Sequence, residues 1–123
     1  MAKILVSDPI ASEGIQILQR AGFDVDVRTG LPKDELLSII GQYDALAVRS
    51  ETKVTAEVLD AATNLKIIGR AGVGVDNIDV ERATQRGVLV VNSPEGNTIA
   101  AAELTVSLLL AMSRNIAPAN ASM

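Results

Sequence analysis

The sequence predicts a doubly wound, three-layer α/β fold around a five-stranded parallel sheet, with a long apolar helix at the C-terminus. Three observations point to it. Short aliphatic runs recur five times, at residues 4–6, 23–27, 45–48, 65–68 and 88–91. Segments whose apolar residues follow helical spacing lie between them. Four of the runs are continuous rather than alternating, which suits strands covered by helices on both faces, and parallel pairing requires crossover segments of that kind.

The elements follow in order. Ile4-Leu5-Val6 ends at Ser7-Asp8-Pro9, after which Ile10, Ile15, Ile17, Leu18 and Ala21 keep helical spacing until Gly22 stops them. Phe23-Asp24-Val25-Asp26-Val27 alternates with period two and is broken by Gly30; Pro32 then opens a helix carrying Leu36, Leu37, Ile39 and Ile40. Ala45-Leu46-Ala47-Val48 stops at Arg49-Ser50, and Thr55 is placed to cap a helix through Val58, Leu59 and Ala62. The fourth run feeds Gly69-Arg70-Ala71-Gly72-Val73-Gly74-Val75-Asp76-Asn77, expected to be a glycine-rich turn. Asp79 caps the next helix, Gly87 closes it, and the fifth run ends at Asn92-Ser93-Pro94. A flavodoxin-like order 2-1-3-4-5 is the commonest solution for five such units and leaves the alternating second strand at an edge.

Of residues 98–117, thirteen are Ala, Ile, Leu, Val or Met and only Glu103 and Arg114 are charged. A surface helix keeps a polar face, and a helix lying on a sheet leaves about half its circumference uncovered, so a further apolar surface is expected to cover this one. The expected division is a domain over 1–97, a helix over 98–118 and a small polar linker stub over 119–123.

Composition excludes several chemistries. The 123 residues suit one domain; a net charge of −4 without any basic cluster argues against nucleic acid, as do Phe23 and Tyr43 as the only aromatics. Cysteine and histidine are both absent, which removes disulfides, thiol nucleophiles, Ser-His triads, imidazole bases and nearly every zinc site, so no metal is expected. The N-terminus carries Lys3 and only a short apolar run, far from a signal-peptide core, and no apolar run reaches membrane length. A cytoplasmic protein without membrane contact is expected.

The glycine segment concentrates backbone N–H groups beside Arg70, donors suited to a carboxylate or phosphate. Two other readings stand beside that one. A dinucleotide fingerprint would need glycine where Asn77 stands and would follow the first strand, not the fourth; a plain tight turn would hold no ligand. Arg49 and Arg70 each follow a strand, which brings both to the carboxyl edge of a parallel sheet, where open α/β sheets bind ligands; the alternative is two solvated surface arginines. Asp8 would suit a metal-holding acid pair only with an aspartate after the third strand, where Arg49-Ser50 stands, so it reads as a turn or helix-capping residue. Glu95 stays unassigned.

On Lys3-Ile4-Leu5-Val6-Ser7-Asp8, Arg49-Ser50 with Thr52, the segment 69–77, Val91-Asn92-Ser93-Pro94 with Gly96-Asn97, and Ala101-Ala102-Glu103-Leu104-Thr105, the chain resembles the substrate-binding domain of the D-2-hydroxyacid dehydrogenase family. The resemblance runs from end to end. It implies an NAD-dependent oxidoreductase of two α/β domains with the active site in the cleft between them. The implied substrate is a small anion, a phosphorylated hydroxy acid. Arg49, Ser50 and Arg70 would bind its phosphate or carboxylate, Gly72 and the backbone N–H groups of Val73 and Gly74 would hold the carboxylate, and Val73 would also touch the nicotinamide. The family's nucleotide fingerprint, catalytic arginine, glutamate and histidine base fall beyond the matched residues, so the resemblance assigns no catalytic residue here. The chain alone is expected to be catalytically silent and to hold no NAD tightly. The helix over 98–117 would serve as interdomain connector and homodimer contact. A helix-swapped flavodoxin-like module with at most weak anion binding is the alternative.

Overall fold

The computed structural model describes residues 2–72, 76–93 and 98–122, the last segment in side-chain detail over 99–111. Its elements alternate: β1 (Lys3–Val6), α1 (Ser12–Arg20), β2 (Asp24–Val27), α2 (Lys33–Ile39) with a 3-10 turn (Ile40–Gln42), β3 (Ala45–Val48), α3 (Ala56–Ala61), β4 (Ile67–Ala71), α4 (Val80–Gln85), β5 (Leu89–Ser93) and α5 (Thr98–Ser122). All strand pairs are parallel and the sheet order is β2-β1-β3-β4-β5, the order expected from the sequence.

Two apolar layers sandwich the sheet. On one face Leu5, Leu46 and Ile68 meet Leu36 and Ile40 from the α2 region, Val58 and Leu59 from α3, and Ala83 from α4. On the other, Ile4, Val6, Ala45 and Ile67 meet Leu18 of α1 and Ala102 and Leu109 of α5. Alternate residues of each strand thus feed opposite cores, as the pleat requires. The caps fall where the composition places them. Thr55 Oγ1 accepts from the Val58 N–H, and Asp79 Oδ1 from the Arg82 N–H, at 3.4 and 3.0 Å. Gly22, with φ +94°, closes α1 in a conformation other residues rarely adopt.

Three expectations need correction. β4 does not stop at Ile68; it continues through Gly69, Arg70 and Ala71, with Arg70 paired to Val48 and to Asn92. Gly69 serves a close approach rather than a turn: a Cβ there would stand 2.6 Å from Thr105 Oγ1 of α5. β5 is covered only in part: Val90 and Val91 pack against opposite cores, but the strand is the second edge of the sheet and Leu89 remains 43% exposed. α5 spans Thr98–Ser122, which takes in residues 119–122.

Among the described residues no helix is long and apolar enough to cross a membrane, and no group of acidic side chains could hold a metal ion.

Candidate functional site

The carboxyl edge of the sheet carries the candidate site, and its framework begins with Asp8. This residue follows β1 and is 2% exposed. It caps no helix: the position before α1 is Ala11, which makes no side-chain cap. Instead Asp8 Oδ2 accepts from the Arg49 and Thr52 N–H groups at 2.8 and 3.0 Å, while Oδ1 accepts from Thr52 Oγ1. Ser7 Oγ shares a hydrogen bond of 2.9 Å with the same threonine hydroxyl. A buried carboxylate must be satisfied by donors, and these donors all come from the loop after β3. The end of β1 therefore sets the shape of residues 49–52.

A second tie joins that loop to the segment after β4. Asn77, 7% exposed, donates through Nδ2 to the carbonyls of Arg49 and Thr52 at 2.8 and 2.7 Å. Its Oδ1 accepts from Arg70 Nε at 2.7 Å. Val54 and Ile78 add a parallel bridge, in which the Val54 N–H donates to the Asn77 carbonyl at 2.8 Å and the Asp79 N–H to the Val54 carbonyl at 2.9 Å. The two loops are tied into one unit.

Arg70 and Arg49 reach the same edge but differ in kind. Arg70 is 8% exposed and its Nε also contacts the Arg49 carbonyl at 3.2 Å. Arg49 is exposed, with one long contact of 3.5 Å from Nη1 to the Pro9 carbonyl. Reading both as ordinary surface arginines fails for Arg70: a guanidinium this buried needs partners, and it has them. Gly72 has φ +154°, and a Cβ there would lie 3.4 Å from Arg70 Nη1, so the absent side chain leaves room beside the guanidinium. Ser50 is exposed on the Arg49 loop. Val73 and Gly74, as well as Glu95, lie outside the described residues.

A cleft of about 260 Å³ adjoins the same loop at the carboxyl end of the sheet, between β1, the β2–α2 loop and the β3–α3 loop, lined by Ser7, Asp8, Gly30, Lys33, Thr52 and Lys53 among others. Neither arginine lines it. Lys33 at its rim is ion-paired with Glu57 at 2.6 Å, and that hydrogen bond raises the lysine above its ordinary pKa.

Of the residues the sequence pointed to, Arg70 reaches the Arg49 backbone carbonyl, Gly72 stands beside the Arg70 guanidinium, and Ser50 follows Arg49 on its loop. Sequence reasoning missed Asp8 and Asn77 as the residues that hold the arrangement. Asp8 was detectable as an acid at a strand's carboxyl end, but its acceptors serve donors 41 and 44 residues away. Asn77 carried no local signal beyond an asparagine in a glycine-rich stretch.

Comparison with known proteins agrees with this architecture. The family model for the catalytic domain of D-isomer specific 2-hydroxyacid dehydrogenases matches residues 4–121. D-3-phosphoglycerate dehydrogenase of Archaeoglobus fulgidus is 54% identical over 98% of this chain, and that of Synechocystis sp. 57% over 99%. The chain spans 23% and 22% of those relatives, less than a quarter of their length. Among solved structures, a protein from Thermus thermophilus superposes with a TM-score of 0.71 at 37% identity, over 97% of this chain and 39% of that one. The NAD+-bound 3-phosphoglycerate dehydrogenase of Entamoeba histolytica gives 0.69 at 33% identity, over 76% and 33%. With a family model covering nearly its whole length, the chain belongs to the D-isomer specific 2-hydroxyacid dehydrogenase family.

Proposed function

We propose that this chain is the acid-binding N-terminal portion of an NAD-dependent D-3-phosphoglycerate dehydrogenase, which oxidises 3-phosphoglycerate to 3-phosphohydroxypyruvate in serine biosynthesis. The observation that carries it is the pair of arginines at one carboxyl edge, one of them buried and fixed by Asn77. Arg70 and Arg49 bind the anionic ends of the substrate, aided by Ser50 and, in the segment outside the described residues, by the N–H groups of Val73 and Gly74. The choice of phosphoglycerate among hydroxy acids is supported by relatives of that name at 54 and 57% identity.

The described residues do not fit a dinucleotide cradle. The glycine segment begins inside β4, not after the first strand, and Asn77, where a third glycine would stand, spends its side chain on Arg70, Arg49 and Thr52. Oxidising a hydroxyl carbon needs a base for the proton and an acceptor for the hydride, and anion donors supply neither. The chain by itself therefore orients acid without turning it over and holds no NAD tightly; the proposed contact of Val73 with nicotinamide belongs to an assembled cleft. A cytoplasmic setting is part of the same reading, as for a metabolic dehydrogenase.

The described part of α5 favours self-association. Ile99, Leu104 and Leu110 are each about 40% exposed although Ala101, Ala102, Thr105 and Leu109 are buried. A second copy of the chain covers that side, making residues 98–117 the dimer contact.

Calorimetric titration with 3-phosphoglycerate tests the function. The wild-type chain binds and Arg70→Ala loses at least tenfold in affinity, as expected for removal of a charge-assisted contact. Equal affinity in the two proteins contradicts the assignment, and NAD reduction by the chain alone contradicts its silence.

A further inference from the structure

We infer that Asn77 is a positioning residue for acid binding, which acts through Arg70 and couples it to the loop that carries Arg49. The inference rests on Arg70 being an acid-binding group. The orientation of the Asn77 amide is fixed by chemistry: the carbonyl oxygens of Arg49 and Thr52 only accept, so Nδ2 must face them at 2.8 and 2.7 Å. Oδ1 is thereby turned to Arg70 Nε, 2.7 Å away. A guanidinium held at Nε cannot rotate freely about its last side-chain bonds, so the Asn77 amide, with the shortest bond to Nε, helps set the direction in which the terminal nitrogens of Arg70 are presented. With Asn77 7% and Arg70 8% exposed, water competes little for these bonds.

Asparagine is the residue type this place requires. Aspartate would still accept from Arg70 but would set a carboxylate against two carbonyl oxygens and offset the arginine's charge. Alanine would leave Nε with only its longer contact to the Arg49 carbonyl and remove the two side-chain bonds that tie residues 49–52 to the segment after β4. Neither change removes an acid-contacting side chain, so an effect on ligand affinity reports positioning.

Two readouts test this on the 123-residue chain: the affinity for 3-phosphoglycerate, measured below the melting temperature of each variant, and the solvent exchange of the Arg70 Nε–H proton by NMR. The expected result is slow exchange in the wild type and in Asn77→Asp, exchange at least several-fold faster in Asn77→Ala, and roughly tenfold weaker binding in both variants. A purely structural asparagine would lower the melting temperature while leaving the affinity of the folded protein unchanged, and that result overturns the inference. Fast exchange in the wild type overturns it as well, whatever the ligand does. If Arg70→Ala binds normally, the acid-binding reading fails; if Arg70→Ala loses binding while Asn77→Ala keeps it, only the positioning role fails.

Discussion

Gly69 of β4 and Thr105 of α5 approach so closely that a Cβ on the glycine would stand 2.6 Å from the threonine Oγ1. Thr105 is 3% exposed, and its hydroxyl donates back to the Ala101 carbonyl at 2.8 Å. The glycine thus lets α5 lie down on the strand that carries Arg70. Gly69→Ala should destabilise the fold by about 1–3 kcal/mol, the cost of an overpacked contact. Thr105→Ala in the same chain should recover most of that loss, whereas Thr105→Ser, which keeps the oxygen, should not. Denaturant unfolding of the single and paired variants as double-mutant cycles checks it.

Asp8 holds residues 49–52 by accepting three donors from them. Asp8→Ala should leave buried donors without acceptors and cost about 1–3 kcal/mol. The same change should raise the amide exchange of Arg49 and Thr52 well above that of the surrounding strands. Protection that survives the substitution would show that the loop is held by something else.

The run lengths and breaks in the sequence were enough for the element order and the parallel sheet, because continuous Val, Ile and Leu stretches and well-placed caps are local signals. The misreading at Gly69 shows where local signals stop: glycine marks a turn and a close approach equally well, and only the position of Thr105, 36 positions further along the chain, separates them. Arg49 and Arg70 were legible as a pair because strand ends in a parallel sheet share one edge. Asp8 and Asn77 were not, since the partners of each lie on loops that sequence cannot bring together without the strand register.

Stability should fall on the acid side partly through Asp44. Burial alone would raise this carboxyl, but the Lys3 backbone N–H at 2.9 Å and the Lys66 ammonium at 3.0 Å outweigh burial and lower it. A carboxyl lowered in the folded state contributes fully above its unfolded value, near pH 4, and loses that contribution as pH falls through the folded value. Asp44→Asn should therefore flatten the loss of stability below about pH 4 relative to wild type. Urea midpoints at about pH 3 and pH 6, below and above the unfolded value, measure it.

Self-association through α5 should respond to charge at its exposed side. Leu104, 40% exposed, can take a carboxylate without entering the core, so Leu104→Glu should shift a dimer to monomer with little change in melting of the folded subunit. Sedimentation velocity across a concentration series decides it; a wild type that stays monomeric throughout contradicts the proposed contact.

In the proposed function the acid is bound at the Arg70 guanidinium and not in the neighbouring cleft lined by Lys33 and Lys53. The most direct measurement is a crystal structure of the chain with 3-phosphoglycerate. The expected result is a phosphate or carboxylate within hydrogen-bond distance of the Arg70 guanidinium, with Asn77 Oδ1 still on Nε. A ligand lodged between Lys33 and Lys53, with Arg70 untouched, would contradict it.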